Sequence, residues 1–216
     1  MTHLQTQYNP PPPDLLKTIY SDDWIVVCDK PSGLLSVPGR GPEKAVCASA
    51  LLSARHGEVL IVHWLDMDTS GLMIFARTKE IQRTLSMAFE KRVIEKGYEA
   101  LIAGSPEMDQ GTVNAAIAKY SLNRPLRHLD PDGREAITHW HVIARSDTHT
   151  RVSLAPETGR SHQLRLHMAS LGHPILGDVF YGDPESHARL CLHAKSLSLN
   201  HPHTGAKIQF DSPAPF

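Results

Sequence analysis

Three observations predict an α+β fold for this chain of 216 residues. Strand-like apolar runs occur in both halves of the sequence, and two of them flank a polar turn at residues 146–150 as an antiparallel pair would. Helical periodicity is confined to a few short segments. No internal repeat or linker divides the chain, so we expect one domain over residues 1–216.

The predicted elements follow in chain order. Residues 1–20 form an N-terminal strap, in which prolines 10–13 favour an extended polyproline conformation. Residues 59–76 read as strand, turn and strand, and residues 123–135 as a loop that carries Arg124, Arg127 and Arg134. Other strands are expected at 24–29, 95–103, 136–144, 151–155, 189–199 and 207–210. Helices are expected at 44–56, 78–92 and 161–171, the last two capped by Thr78 and Ser161.

Composition narrows the class of protein. The net charge is −1 and the pI is near 6.9, so there is no global basic excess, although a local basic surface would suffice to bind nucleic acid. Three scattered cysteines argue against structural disulfides and favour a reducing cytoplasm. No apolar run approaches the length of a membrane span, and the N-terminus lacks a signal-peptide pattern, so we expect no membrane partner.

The segment 62–71, V-H-W-L-D-M-D-T-S-G, is the most informative stretch. Apolar runs flank a polar turn that holds two carboxylates, Asp66 and Asp68. Such a turn presents a side chain rigidly to a cleft. The structural alternative is a turn whose Asp and Thr side chains only cap backbone groups.

This segment resembles the H-R-L-D-x-x-T-S-G signature of the RluA-type pseudouridine synthases. The resemblance implies that Asp66 is the catalytic carboxylate, and that His63, Leu65 and Thr69 lie on the substrate side of the loop. The family's Arg is replaced here by Trp64, which we also place among the substrate-binding residues.

Three further segments extend the resemblance over roughly residues 8–212. The run D-K-P-S-G-L-L-S-V-P-G-R at 29–40 is similar to the family segment that shapes the floor of the site. The K-x-Y-x-A pattern implies that Tyr98 stacks on the target base. In T-G-R-S-H-Q-L-R-L-H, the resemblance implies that Arg165 pairs with Asp66, that Leu166 packs under the base, and that Arg160 binds substrate.

The resemblance implies a mixed, largely antiparallel sheet flanked by helices and loops around a central cleft, without an appended S4-type RNA-binding domain. It implies an isomerase that converts uridine to pseudouridine in stem-loops of tRNA or 23S rRNA. The reaction changes neither redox state nor atom count, so no cofactor or metal is expected. Arg165 would keep Asp66 ionised through a charge-assisted pair. The default oligomeric state is a monomer.

Trp64 admits two hypotheses. The indole either stacks between bases as an aromatic wedge, or packs locally and contributes little to base extrusion.

Two other functions remain as alternatives. Fourteen histidines suggest a metal hydrolase, with closest pairs at His139/His141, His162/His167 and His201/His203, but none has the spacing of a known metal motif. The replacement by Trp64 also leaves open a catalytically weakened, synthase-derived RNA-binding protein or RNA chaperone.

Overall fold

The structure, a computed structural model, describes residues 8–120 and 126–216. Three α-helices occur there, α1 (Ala48–His56), α2 (Lys79–Glu90) and α3 (Gln163–Ser170). The strands are β1 (Lys17–Ser21), β2 (Ile25–Lys30), β3 (Leu60–Ile61), β4 (Ser70–Ala76), β5 (Glu95–Ala103), β6 (Gln110–Asn114), β7 (Ile117–Lys119), β8 (Arg127–Leu129), β9 (Ile137–Arg145), β10 (His149–Pro156), β11 (Leu192–Asn200) and β12 (Lys207–Asp211).

Ten of these strands form one sheet in the order β1-β2-β4-β11-β5-β10-β9-β6, with β3 paired to β4 and β12 paired to β11. Strands β4 and β11 run parallel, and the other neighbours within the described part of the sheet run antiparallel. The predicted α+β class and the mixed, largely antiparallel sheet are therefore confirmed. None of the described helices combines the length and apolar character that a membrane span requires.

Strands β2 and β4 are covered on both faces, so their sequences are continuously apolar rather than alternating. Alternate side chains of these strands, including Cys28 and Phe75, pack against Leu52 of α1. The intervening ones, including Val27, pack against Leu85 of α2. The third helix, α3, packs on another core formed mainly by β5, β9 and β10.

Most predicted elements occur within a few residues of their expected bounds, and Thr78 caps α2 through its hydroxyl as predicted. Several expectations were wrong in detail. The first helix begins at Ala48, after a short 3-10 turn, Pro42–Lys44. Residues 17–21 of the expected strap form β1, and the expected loop 123–135 contains β8, which pairs with β7. Residues 1–7 and 121–125, including Arg124, lie outside the described residues.

Gly71, just after the loop at 62–69, is a position where β4 lies very close to β11. It has φ of +112°, and a Cβ built on it would lie 2.3 Å from the carbonyl oxygen of Ala194 on the parallel neighbour β11. Both the backbone conformation and the close approach require glycine here.

We expect Gly71→Ala to lower the free energy of unfolding by about 2–4 kcal/mol, because a methyl group forces β4 away from β11. Gly205→Ala is the matched control, since Gly205 also has positive φ but nothing lies within 4 Å of an added Cβ. The control should lose about 1 kcal/mol, the backbone cost alone. Urea unfolding measures both, and equal losses would contradict the close-approach explanation.

Candidate active site

A cavity of about 440 Å³ opens between the loop at 62–69, the beginning of β5 and the segment leading into α3. Its volume falls in the usual range for small-ligand sites, about 300–1,000 Å³. Eight of the nine predicted site residues line it: His63, Trp64, Leu65, Asp66, Thr69, Tyr98, Arg160 and Arg165. Segments separated by up to a hundred residues in sequence therefore meet at one cavity.

The loop that carries Asp66 is held by the segment 30–36. The hydroxyl of Ser36 donates to the carbonyl of Leu65 (2.6 Å) and accepts from its amide (3.1 Å). The Lys30 ammonium and the Gly33 amide both donate to the carbonyl of Met67 (2.8 and 3.0 Å). Further bonds run from the Ser32 hydroxyl to the Asp68 carbonyl and from the Thr69 amide to the Asp66 carbonyl. Every carbonyl from Leu65 to Asp68 therefore has a partner, which fixes the loop.

Lys30 is fully buried beneath this loop, and its ammonium also donates to the carbonyls of Pro31 and Leu34. Burial lowers its pKa to about 7, although the charges of Asp68 and Asp66 act in the opposite direction. Three carbonyl acceptors match the three N–H donors of the ammonium. Lys30 therefore holds the loop from below and does not face the cavity.

The carboxylate of Asp66 faces the cavity with 21% of its side chain exposed. Its Oδ2 lies 3.5 Å from Nη1 of Arg165 and 3.9 Å from Nε2 of His162. No hydrogen bond to the carboxylate is formed by the described residues, so its lone pairs remain available to a molecule in the cavity. The predicted neighbours Asp66 and Arg165 are thus brought together, at ion-pair rather than hydrogen-bond distance.

Arg165 is oriented by Asp178, which the sequence reasoning did not single out. Nε and Nη2 of Arg165 donate to the two carboxylate oxygens of Asp178 at 2.8 and 2.6 Å, in the bidentate geometry that suits a guanidinium. Both side chains are almost completely buried, at 2% and 0% exposure. Burial alone would raise the pKa of Asp178, but the bonds from Arg165 and from the amides of Phe180 and Tyr181 hold it below the ordinary value. The remaining Nη1 is directed to Asp66.

His162 is a second residue of the site that the sequence reasoning missed. It precedes α3 with a left-handed backbone (φ +60°), which is uncommon for a residue other than glycine. Its Nδ1 lies 2.8 Å from the hydroxyl of Tyr181, and Phe180 stacks on its ring. His162 therefore takes the position predicted for Ser161, because the polypeptide turns into α3 one residue later than expected. The family-like spacing Arg-x-His-Gln is the signal that could have identified it.

Tyr98 lies on β5 where two of the hydrophobic cores meet, and packs against both. Its ring lines the cavity, and its hydroxyl has no hydrogen-bond partner among the described residues. Burial and the charge of Asp66 raise its pKa, so the phenol stays protonated. A neutral, rigid aromatic ring is thereby presented beside the carboxylate.

His63, Leu65 and Thr69 support the loop from its inner side. Nε2 of His63 accepts from the Ile74 amide at 3.0 Å, and its ring stacks on Phe89. Burial, and then the charge of Lys96, lower the His63 pKa to about 3, so the imidazole is neutral. These contacts anchor His63 to β4 and α2, while His63, Leu65 and Thr69 all remain part of the cavity wall.

Trp64 lies at the cavity rim with 62% of its surface exposed. Local packing therefore leaves most of the side chain uncovered, which favours the wedge hypothesis. Its exposed indole is available for stacking on a bound molecule.

Leu166 departs from the prediction, since it is not part of the cavity wall. Helix α3 turns it away, and Leu164 and Leu192 provide apolar wall surface instead. Arg160 lines the cavity as predicted, with its Nε donating to the carbonyl of Glu135 at 2.9 Å.

The histidine pairs that suggested a metal site are engaged in other contacts. His139 bonds Glu157 and Thr112, and His201 bonds Asp22. Within residues 8–120 and 126–216, no three His, Cys, Asp or Glu side chains are placed to share a metal ion.

Comparison with known proteins defines the class to which this fold and site belong. Residues 24–170 match the family model described as RNA pseudouridylate synthase. The chain belongs to that family. The solved structure of human RNA pseudouridylate synthase domain containing 1 is similar, with a TM-score of 0.81 and 26% identity, covering 96% of this chain and 87% of that one.

Curated relatives narrow the class to the RluA type. The dual-specificity RNA pseudouridine synthase RluA of Haemophilus influenzae (strain ATCC 51907 / DSM 11121 / KW20 / Rd) is 45% identical, over 97% of this chain and 98% of the relative. RluA of Escherichia coli (strain K12) is 43% identical, with the same coverage. The chain is an isomerase that converts uridine to pseudouridine in RNA.

Proposed function

We propose that the cavity receives a uridine turned out of an RNA stem-loop, and that Asp66, Tyr98 and Arg165 act on it. His63, Trp64, Leu65, Thr69 and Arg160 form the surrounding substrate-binding surface, with Leu164 taking the place first given to Leu166. The observation that carries this proposal is a carboxylate that faces the cavity beside a fixed guanidinium and accepts no hydrogen bond from the described residues.

The reaction requires the N1–C1′ bond to break, the uracil to rotate, and a C5–C1′ bond to form. The proton on C5 leaves, and N1 gains one, so atoms and electrons balance without a co-reactant. Asp66 serves as nucleophile or base, whether the first step is attack on the sugar, attack on the base, or elimination. Arg165 places a fixed positive charge beside the carboxylate, where it can stabilise negative charge that develops nearby during the reaction.

Tyr98 provides the surface against which the detached uracil rotates. Its ring is held by two cores, and its protonated hydroxyl is free to hydrogen-bond the base. Stacking on a flat ring restrains the base in one plane while allowing in-plane rotation. Such restraint lowers the entropic cost of reforming a bond at C5.

Extruding a uridine costs a few kcal/mol of stacking and pairing. The exposed indole of Trp64 lies beside the cavity, where it can stack on the bases that remain. One base–aromatic stack supplies about 1–3 kcal/mol, enough to offset much of this cost. Trp64 thus acts as an aromatic wedge where family members carry arginine.

The substrates we propose are a uridine in a tRNA anticodon stem-loop and one in a 23S rRNA stem-loop. The similarity to dual-specificity RluA proteins supports two RNA substrates, and stem-loops offer bases that are already partly unstacked. The protein acts as a cytoplasmic monomer through this catalytic domain.

Asp66→Asn tests the assignment of the carboxylate. The amide keeps the shape but cannot act as nucleophile or base, so we expect pseudouridine formation to fall by at least about 10⁴-fold. Pseudouridines are mapped in total tRNA and rRNA from cells in which the gene is deleted. The same cells are also mapped after they receive a plasmid that encodes the wild-type protein or a variant. Asp147→Asn, at an exposed turn, is the charge-matched control and should restore the wild-type map.

Identical maps for wild type, Asp66→Asn and cells without the protein would reject the enzyme proposal. They would favour the alternative of an RNA-binding protein without catalysis.

Trp64→Ala tests the wedge. Because the side chain is exposed, folding stability should change little, whereas kcat/KM should fall about 5- to 100-fold through the lost stack. Trp64→Phe should retain most activity. An increase of about tenfold or more in Trp64→Arg, equivalent to 1.4 kcal/mol, would instead show that the indole handicaps the enzyme.

A further inference from the structure

Four cationic side chains that take no part in the proposed chemical steps line the cavity together, and one of them, Arg160, belongs to the substrate-binding surface proposed above. They come from four different segments: Arg92 follows α2, Lys96 lies on β5, Arg134 precedes β9, and Arg160 precedes α3. The cavity wall contributes two carboxylates besides Asp66, those of Glu90 and Glu157, and Glu157 is paired with His139. The wall therefore carries more cationic than anionic side chains, although the whole chain carries a net charge of −1.

Two of these cations have no counter-ion within the described part of the chain. The Arg134 guanidinium is exposed and makes no hydrogen bond or ion pair there. The Lys96 ammonium is half-buried, lies 3.8 Å from the position a Cβ on Gly159 would take, and also lacks a partner. Because neither cation has a counter-ion among the described residues, both are available to an anion that the protein itself does not supply.

The other two cations are held in place by Glu135 and its backbone. The Arg92 guanidinium pairs with the Glu135 carboxylate, and Nε of Arg160 donates to the Glu135 carbonyl. Arg92 has φ of +58° just after α2, a conformation that costs a non-glycine residue about 1–2 kcal/mol. With this backbone conformation, the Arg92 side chain lies on the cavity wall.

Electrostatics agree with the geometry. Burial and then the charges of Arg134 and Arg92 lower the Arg160 pKa, and burial and then Arg92 lower that of Lys96. The cations are thus close enough to repel one another. Several positive charges around a cleft create a positive potential that attracts an anion. Binding of an anion reduces the repulsion between the cations.

We propose that Arg92, Lys96, Arg134 and Arg160 form a subsite for a backbone phosphodiester adjacent to the uridine in the cavity. The proposal rests on the proposed function and deepens it by assigning how the extruded nucleotide is held. Guanidinium groups and an ammonium are the groups that bind phosphate oxygens in proteins. A phosphate clamped here would fix the ribose relative to Asp66 while leaving the uracil free to rotate.

The first test replaces the two unpartnered cations, because neither charged group forms a hydrogen bond or ion pair with the described residues. Lys96→Gln and Arg134→Gln should each weaken binding of an RNA stem-loop that wild type modifies by about 3- to 10-fold. Each should also reduce the slope of log Kd against log salt by about 0.7–1. Lys17→Gln, on the exposed edge strand β1, is the charge-matched control and should alter neither quantity.

The second test identifies the phosphate. Phosphates within two nucleotides of the target uridine are replaced one at a time by neutral methylphosphonates. One replacement should weaken wild-type binding about 3- to 10-fold, by loss of one contact, and should have little further effect in the Lys96→Gln/Arg134→Gln double variant. Such non-additivity shows that the cations and that phosphate interact.

The subsite is overturned if the double variant binds the RNA with wild-type affinity and the wild-type salt slope. It is also overturned if every methylphosphonate weakens RNA binding equally in the wild type and in the double variant. Wild type must form pseudouridine in this RNA, which separates the two proposals. If wild type forms pseudouridine but the effects of the cation substitutions and of the methylphosphonate are additive, only the subsite is rejected. If wild type forms no product, the proposed function is rejected.

Discussion

The site depends on the buried ion pair between Asp178 and Arg165. Burying a guanidinium this completely destabilises the fold unless its N–H donors have acceptors. Asp178 accepts two hydrogen bonds from Arg165 in bidentate geometry. Because Asp178 is itself held by the amides of Phe180 and Tyr181, the guanidinium cannot rotate, and its third nitrogen points to Asp66. Asp178 therefore sets where the positive charge lies, although it is absent from the cavity wall.

Asp66 is positioned from the opposite side by backbone hydrogen bonding. The segment 30–36 satisfies the carbonyls of its loop, and Gly71 allows the strand that follows to lie against β11. The two carboxylates thus have different roles. The oxygens of Asp178 accept hydrogen bonds from the protein, whereas those of Asp66 accept none from the described residues and face the cavity. An active site of this kind needs rigid support on both sides, because a displacement of about 1 Å can cost 100-fold in rate.

The sequence predicted the α+β class, most elements and eight cavity-lining residues, because periodicity and family-like motifs are local signals. It did not predict β8, whose Pro- and Gly-rich surroundings resemble a loop and whose pairing with β7 is tertiary. It missed Asp178 and His162, since their roles arise from contacts with Arg165, Tyr181 and Asp66 across the fold. Leu166 was misplaced because the exact start of α3 decides which leucine faces the cavity.

The most direct test of this account is the single-turnover rate of Asp178→Asn, measured beside its affinity for the same RNA. Asparagine keeps the shape but weakens the hold on Arg165. The rate should fall about 100-fold while Kd changes less than about threefold, because Asp178 orients the reacting groups without lining the cavity. Circular dichroism confirms folding at the assay temperature. A folded variant with the wild-type rate would contradict the claim that Asp178 positions the catalytic pair.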